Sequence, residues 1–238
     1  MQANIGCSGY AYSGWQGCWY PDDFKPHRWF TFYAERFNTV EINASFYRFP
    51  TTHAVAKWQS QAPEGFRYSI KAPRLITHLK HFIHTERLLD DLYGALAGLG
   101  NKLGCVLFQL PPQLHFNAER LAAILSQLNT GFHNVLEFRH ESWWQRKVFD
   151  ALAEAGAVFC AVDAPGMPND LIVCGSSLYM RMHGDPWYAK DYPEAELRGW
   201  AEKIEACGAD QVWVYFNNNA NAAAPRNAVA LARMLEKT

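Results

Sequence analysis

The segment VLEFR, Val135 to Arg139, has the composition of a buried β-strand but carries two charges. Side chains alternate along a strand, so Leu136 and Phe138 point to one face while Glu137 and Arg139 point to the other. Burying a charge is costly unless the charge is paired. The pattern therefore indicates a strand with one apolar face and one polar face.

Seven further segments have the same strand-like composition. They are NIGCSGY (4–10), TVEIN (39–43), FRYSIK (66–71), LGCVLFQL (103–110), AVFCAVD (157–163), SLYMRMHG (177–184) and QVWVYFN (211–217). Helix-like segments alternate with them: HRWFTFYAERF (27–37), TERLLDDLYGALAGL (85–99), AERLAAILSQL (118–128), SWWQRKVFDALAEAG (142–156), EAELRGWAEKIEACG (194–208) and PRNAVALARMLEK (225–237). This alternation indicates a parallel sheet with helical crossovers, and eight such units predict a single-domain (β/α)8 TIM barrel over residues 1–238.

One connection departs from the alternation. The segment from Ala164 to Ser176, between the sixth and seventh strands, contains two prolines and two glycines and lacks helical periodicity. We therefore expect the sixth helix to be reduced or missing. An open doubly wound sheet is the alternative fold, although the GxGxxG and P-loop motifs of such nucleotide-binding sheets are absent from the sequence.

Composition and charge exclude several classes of protein. A hydrophobic content of 49% and an aromatic content of 15% exclude intrinsic disorder. The net charge of −1 gives no broad electrostatic attraction to duplex nucleic acid or to an anionic membrane, so neither is expected as a partner. The six cysteines form no CxxC pair, and we find neither a signal-like start nor a membrane-length apolar run. We expect a cytoplasmic protein with reduced thiols.

Polar residues recur on the second face of the predicted strands, close to their carboxyl ends. In a closed barrel this face points to the barrel axis. The inward residues are Glu41, Asn43, Ser69, Lys71, Gln109, Glu137, Arg139, Asp163, Arg181, His183, Tyr215 and Asn217. Barrel active sites lie at the carboxyl ends of the strands, so these residues predict a polar pocket at the barrel mouth. A structural ion pair is the alternative for any single Glu-x-Arg, whereas six charges from five strands favour a functional pocket.

Aromatic residues follow several of these strands. They are Tyr10, Tyr12, Trp15, Phe46, Tyr47, Trp143, Trp144, Trp187 and Tyr188. Rings beside polar groups suit stacking on a sugar or a nucleobase. The alternative is that they pack the loops.

The segment NNNANAAAPR, Asn217 to Arg226, leads into a helix predicted to begin near Pro225. Phosphate sites of TIM barrels often combine the loops after the seventh and eighth strands with a helix N-terminus. Arg181 and His183 lie in the neighbouring segment, so an anion site is expected here. A capped helix with an asparagine-rich turn is the structural alternative.

The segment HLKHFIH places His78, His81 and His84 three residues apart, a spacing that could put them on one helical face as metal ligands. No glutamate or cysteine completes a familiar metal spacing, and Lys80 lies between two of the histidines. A solvated or capping stretch is therefore the preferred interpretation, and we predict no metal site.

Several blocks of the sequence together resemble one family. They are GCSGYAYSGWQGCWYP, TVEINASFYRFP, FRYSIKAPRLITH, LFQLPP, LEFRHESWW, YMRMHG, VYFNNN and APRNA. In this order, and over nearly the whole chain, they resemble the YecE-like family, domain of unknown function 72. The resemblance implies a TIM barrel and no established reaction. The family blocks fall on Tyr10, Glu41, Asn43, Tyr47, Lys71, His78, Gln109, Glu137, Arg139, Asp163, Arg181, His183, Asn217 and Asn218.

The leading functional hypothesis is an enzyme, of hydrolase, lyase or isomerase type, that uses acid–base chemistry on a small polar, phosphate-bearing or sugar-like substrate. Glu41 or Glu137 would be the general base, the other carboxylate or Asp163 the acid, and Lys71 a charge stabiliser or Schiff-base amine. No organic cofactor is expected.

Two alternative functions remain open. A divalent metal could lie among Glu41, Glu137, Asp163 and His183, as in isomerase-like or endonuclease-like barrels, although nearby cations already oppose these acids. A non-catalytic nucleotide or nucleic-acid binder could instead use the arginines and the aromatic rings.

Overall fold

The computed structural model of the chain describes residues 1–236. Within them, eight strands form one sheet in the order β1-β8-β7-β6-β5-β4-β3-β2. The strands are β1 (Gln2–Cys7), β2 (Thr39–Ile42), β3 (Arg67–Lys71), β4 (Leu103–Gln109), β5 (His133–Glu137), β6 (Val158–Asp163), β7 (Ser177–Met182) and β8 (Gln211–Phe216). Strand β8 pairs in parallel with β1 and β7, and parallel pairing also joins β3 to β4, β4 to β5, and β5 to β6. The predicted strands are confirmed.

Helices connect most of the strands. They are α1 (Trp29–Ala34), α2 (Ala44–Tyr47), α3 (Thr52–Gln61), α4 (Glu86–Leu96), α5 (Ala118–Leu125), α6 (Arg146–Glu154), α7 (Glu194–Ala206) and α8 (Ala223–Leu235). Five of the six predicted helical segments contain one of these helices, and the sixth overlaps α8, which begins at Ala223, two residues earlier than predicted. The first begins later than predicted, because Pro26–Arg28 forms a 3-10 turn ahead of α1, and it ends at Ala34 rather than at Phe37. Lys237, the last residue of the final predicted helix, lies outside the described residues.

Helices α2 and α3 are not among the predicted segments. Val55 is the buried residue of α3, so this helix carries little of the apolar periodicity that marks the others. Its start is nevertheless encoded locally, since Thr51 Oγ1 accepts a hydrogen bond from the Ala54 amide at 3.1 Å.

The connection between β6 and β7 contains no helix in residues 164–176, all of which the structure describes. Cys174 forms an isolated antiparallel bridge with Ser177 at its end. The predicted loss of the sixth helix is confirmed. Among the described residues, no helix has the length and apolar character needed to cross a membrane.

The chain divides into two compact units. The first comprises Met1–Glu41 and Ala161–Thr238 and is described up to residue 236. Within it, β8 lies between β1 and β7, so that Tyr215 is in register with both Gly6 and Arg181. Gly6 lies against Tyr33 of α1, which leaves no room for a side chain at this position.

Tyr33 ties β1 to β2 inside the first unit. Its hydroxyl donates to the Thr39 carbonyl oxygen at 2.9 Å and accepts the Cys7 amide at 2.8 Å. A Cβ atom at Gly6 would overlap both the Thr39 carbonyl oxygen and the Tyr33 hydroxyl. Glycine is therefore required at this point of the strand for the close approach of the two backbones.

The second unit comprises Ile42–Cys160. Strands β3, β4 and β5 lie side by side in it, and Gln109 is in register with Glu137. Beyond the end of β5, the ring of Phe138 stacks on Trp143 with 4.2 Å between the ring centroids. Both rings are buried, as expected for the apolar face of the VLEFR segment.

Candidate functional site

The carboxylate of Glu41 lies at the centre of a buried polar group in the first unit, here called the Glu41 cluster (Ser8, Glu41, Tyr179 and Arg181). Ser8 Oγ and Arg181 Nη2 each donate to Glu41 Oε1 at 2.7 Å, and the Tyr179 hydroxyl donates to Oε2 at 2.7 Å. Glu41 is 0% exposed and Arg181 is 1% exposed. Both oxygens of Glu41 are occupied by donors, which suits an ion pair that fixes the orientation of Arg181.

Asp163 ends β6 in the same unit and is partly exposed. Its Oδ2 accepts the Tyr192 hydroxyl, and its backbone oxygen accepts the amides of His183 at 2.9 Å and Gly184 at 3.0 Å. Burial raises the pKa of Tyr192, and the negative charge of Asp163 raises it further. Tyr192 therefore stays protonated and holds the Asp163 carboxylate in one orientation.

Three asparagines follow β8, and two of them form a short hydrogen-bonded series with His183. Asn219 Nδ2 donates to Asn217 Oδ1 at 3.2 Å, and Asn217 Nδ2 donates to His183 Nδ1 at 3.3 Å. Asn218 is fully buried, and its Nδ2 donates to the Lys190 carbonyl oxygen at 2.6 Å. The bond to Nδ1 favours the tautomer of His183 with its proton on Nε2.

The predicted anion site draws on Arg181, His183 and the amides of residues 217–219. Arg181 already donates to Glu41, and the backbone amide of Asn217 donates to the Met182 carbonyl oxygen at 2.8 Å. An anion would have to compete with these partners. The anion site stays a prediction.

A lysine and a histidine of the second unit share one aromatic ring; we call this group the Lys71 cluster (Phe46, Lys71, Thr77 and His78). Lys71 Nζ lies 4.1 Å from the centroid of the Phe46 ring, and the ring of His78 meets Phe46 edge-on with 5.0 Å between centroids. Ser45 Oγ, one residue before Phe46, donates to the Lys71 carbonyl oxygen at 2.7 Å. This bond ties α2 to the end of β3.

Glu137 and Arg139, the charged pair of the VLEFR segment, contact each other through Arg139 Nε and Glu137 Oε1. The Glu137 side chain is 0% exposed and that of Arg139 is 11% exposed. Gln109, beside Glu137 in the sheet, is 9% exposed. The carboxylate is thus fully buried beside an arginine that keeps a small exposed fraction.

Three of the predicted binding residues have different surroundings. The ring of Tyr10 packs against Phe30 with 5.2 Å between centroids, as expected for loop packing. Tyr47, in contrast, is 72% exposed and meets Phe46 edge-on. The Oδ1 atom of Asn43 is buried and has no hydrogen-bond partner among the described residues.

The structure brings some predicted site residues together inside each unit. Glu41 contacts Arg181 in the first, Asn217 contacts His183 there, and Glu137 contacts Arg139 in the second. The convergence of all these residues on one pocket stays a prediction.

Sequence reasoning missed four contributors: Ser8, Tyr179, Tyr192 and Thr77. Tyr179 could have been found, because it lies two residues before Arg181 and so shares its face of the strand. Tyr192 lies in a loop and Thr77 in a short π-helical turn, where no strand periodicity applies.

The histidines of the HLKHFIH segment do not share a regular helical face. His78 belongs to a π-helical turn, Leu75–Leu79, whereas His81 and His84 have left-handed backbone angles, with φ of 47° and 52°. Across residues 1–236 we find no group of three or more His, Cys, Asp or Glu side chains arranged to hold a metal ion.

Comparison with known proteins assigns the chain to a family. The family model described as protein of unknown function DUF72 matches residues 4–238. The chain belongs to the DUF72 family. The predicted YecE-like resemblance is therefore confirmed.

Similar proteins extend this finding to the fold. The UPF0759 protein YunF of Bacillus subtilis is 25% identical over 91% of this chain and 90% of its own. The crystal structure of a DUF72 family protein from Thermotoga maritima is similar with a TM-score of 0.89 and 24% identity, over 99% of this chain and 100% of that one. D-psicose 3-epimerase from Clostridium cellulolyticum shares the fold at a TM-score of 0.59 and 11% identity, over 100% and 99% of the two chains. The predicted TIM-barrel fold class is confirmed.

Proposed function

We propose that the chain is an enzyme that carries out acid–base chemistry on a small polar, sugar-like substrate at the carboxyl ends of its strands. The observation that carries the proposal is the burial of charge at those ends. Glu41 and Glu137 are 0% exposed, Arg181 is 1% exposed and Lys71 is 9% exposed. Buried ion pairs contribute little net stability, so stability alone does not account for charges on several strands.

The contacts distribute the proposed roles among these residues. Asp163 keeps partial exposure and a fixed orientation, which suits the acid–base group. Glu41 and Glu137 each bind an arginine, which suits positioning residues. Lys71 is the proposed charge stabiliser, because this cationic residue is only 9% exposed.

An unphosphorylated sugar or sugar acid is favoured over a phosphorylated substrate. The cation proposed for phosphate, Arg181, is buried against Glu41, so its charge is already balanced. The exposed ring of Tyr47 offers an apolar face of the kind that packs against a sugar ring.

The test is a panel of aldoses, ketoses and their phosphates, incubated with the protein and followed by proton NMR for new products. We expect conversion of an unphosphorylated sugar, lowered about 10²-fold or more by Asp163→Asn and by Lys71→Met. Lys147→Met is the matched control, because Lys147 also lies over an aromatic ring, 4.4 Å from the centroid of Phe116, but is exposed. Conversion that is insensitive to Asp163→Asn and Lys71→Met, or no conversion of any sugar, would contradict the proposal.

A further inference from the structure

His78 and Lys71, two residues with nitrogen donors, both contact the ring of Phe46. Phe46 lies in the short helix α2, and its ring contacts the Lys71 ammonium group and the edge of the His78 ring. Lys71 is 9% exposed, and His78 is half-buried. A cation beside an imidazole is unfavourable if the imidazole is also charged, so this arrangement favours a neutral histidine.

The hydrogen bond of His78 indicates which ring nitrogen carries the proton. Thr77 Oγ1 lies 2.8 Å from His78 Nδ1, and Thr77 is fully buried. The Thr77 hydroxyl has no other hydrogen-bond partner among the described residues, and a buried hydroxyl proton without an acceptor is costly. Thr77 therefore donates to Nδ1. The remaining proton of the neutral ring is on Nε2, which makes no hydrogen bond within residues 1–236.

The electrostatic surroundings keep His78 neutral over the physiological range. Burial lowers the pKa of His78 to about 4, and the charges of Lys71, Arg74 and His81 act in the same direction. Glu137 acts in the opposite direction and is outweighed. At pH 7 the ring is thus an uncharged donor from Nε2.

We propose that His78 Nε2 and the Lys71 ammonium group together bind one electron-rich oxygen of the substrate, the carbonyl oxygen of an open-chain sugar or a carboxylate oxygen of a sugar acid. The proposal rests on the proposed function and specifies the substrate as a polyhydroxylated carbonyl or carboxylate compound. One neutral donor and one cation match the partial charge of a single such oxygen. A phosphate group, with three oxygens, is more commonly bound by arginine forks and backbone amides.

The binding test compares gluconate with glucitol, which has the same carbon chain but lacks the carboxylate. By calorimetry at pH 7 we expect gluconate to bind at least about tenfold more tightly than glucitol. His78→Phe and Lys71→Met should each remove most of this preference, whereas His78→Gln, which keeps an N–H donor, should retain part of it. His53→Phe, at an exposed position of α3, should bind like the wild type. Equal binding of the two compounds, or tighter binding of inorganic phosphate with the same dependence on His78, would overturn the assignment.

A second measurement separates this inference from the proposed function. Nitrogen-15 NMR of the histidine rings reports the tautomer without any ligand. We expect Nδ1 of His78 to be unprotonated, Nε2 to be protonated, and the ring to titrate near pH 4. A proton on Nδ1 would exclude the donor role even if sugars are converted. Conversely, the expected tautomer together with sugar-acid binding but no conversion would retain the binding site and reject the enzyme.

Discussion

Replacing Arg181 with methionine is expected to destabilise the fold by about 3–5 kcal/mol, because it leaves a buried carboxylate without its cation. Arg181 is 1% exposed and Glu41 is 0% exposed, so water cannot replace the lost partner without opening the structure. In the variant Ser8 and Tyr179 still donate to Glu41, and these two hydrogen bonds keep the loss of stability from exceeding this range. Methionine keeps an unbranched, apolar stem of similar reach, so the charge is the main change.

The assay is urea unfolding followed by circular dichroism, with thermal unfolding as a second readout. For a chain of 238 residues, a loss of this size corresponds to a fall in Tm of about 6–20 °C. The matched control is Arg198→Met, which removes an exposed arginine from its 2.7 Å pair with Glu194. That change should cost about 0–1 kcal/mol.

A double variant separates the charge from other effects of the substitution. Combining Glu41→Gln with Arg181→Met removes both charges, so its loss of stability should be smaller than the sum of the two single losses. Strict additivity, or a loss below about 1 kcal/mol for Arg181→Met alone, would refute the view that the buried pair is strongly coupled.

Two further predictions concern packing and pH. Gly6→Ala should destabilise the fold by about 1–3 kcal/mol in urea unfolding, since its Cβ would overlap the Thr39 carbonyl oxygen. The control is Gly94→Ala, in a helix with open space around it, which should instead stabilise the fold by about 0.5–1 kcal/mol. Equal effects of the two substitutions would contradict the packing argument. Burial lowers the pKa of His78 from 6.5 to about 4, so the stability this residue contributes above pH 6.5 is lost as pH falls toward 4. The wild type should lose more stability than His78→Gln between pH 7 and pH 4, and parallel losses would show that His78 titrates normally.

Much of the fold follows from local pattern. The VLEFR segment and the seven segments like it form strands because alternation and β-branched composition act over a few neighbouring residues. Helix α3 was harder to predict, because it buries little beyond Val55 and is marked mainly by the Thr51 cap. The absence of the sixth helix, in contrast, is predictable from the prolines and glycines of residues 164–176.

The candidate site was predictable where it lies on strands. The alternation of side chains along a strand predicted Glu137 and Arg139 on the same side, and they contact each other. Strand alternation could not predict the role of Tyr192, which contacts Asp163 from a loop 29 residues later. Nor could periodicity indicate that Thr77 sets the proton position on His78, because that depends on a hydrogen bond between adjacent residues in an irregular turn.

The division of the chain has a consequence for the order of folding during synthesis. The unit Ile42–Cys160 is continuous in sequence, whereas the other is assembled from two segments separated by it. Glu41 and Arg181 are 140 residues apart, so the glutamate leaves the ribosome well before its arginine. At about 5–20 residues per second this delay is on the order of 7–30 s. During that interval the amino-terminal segment lacks its partners, and its strand edges are open to other chains.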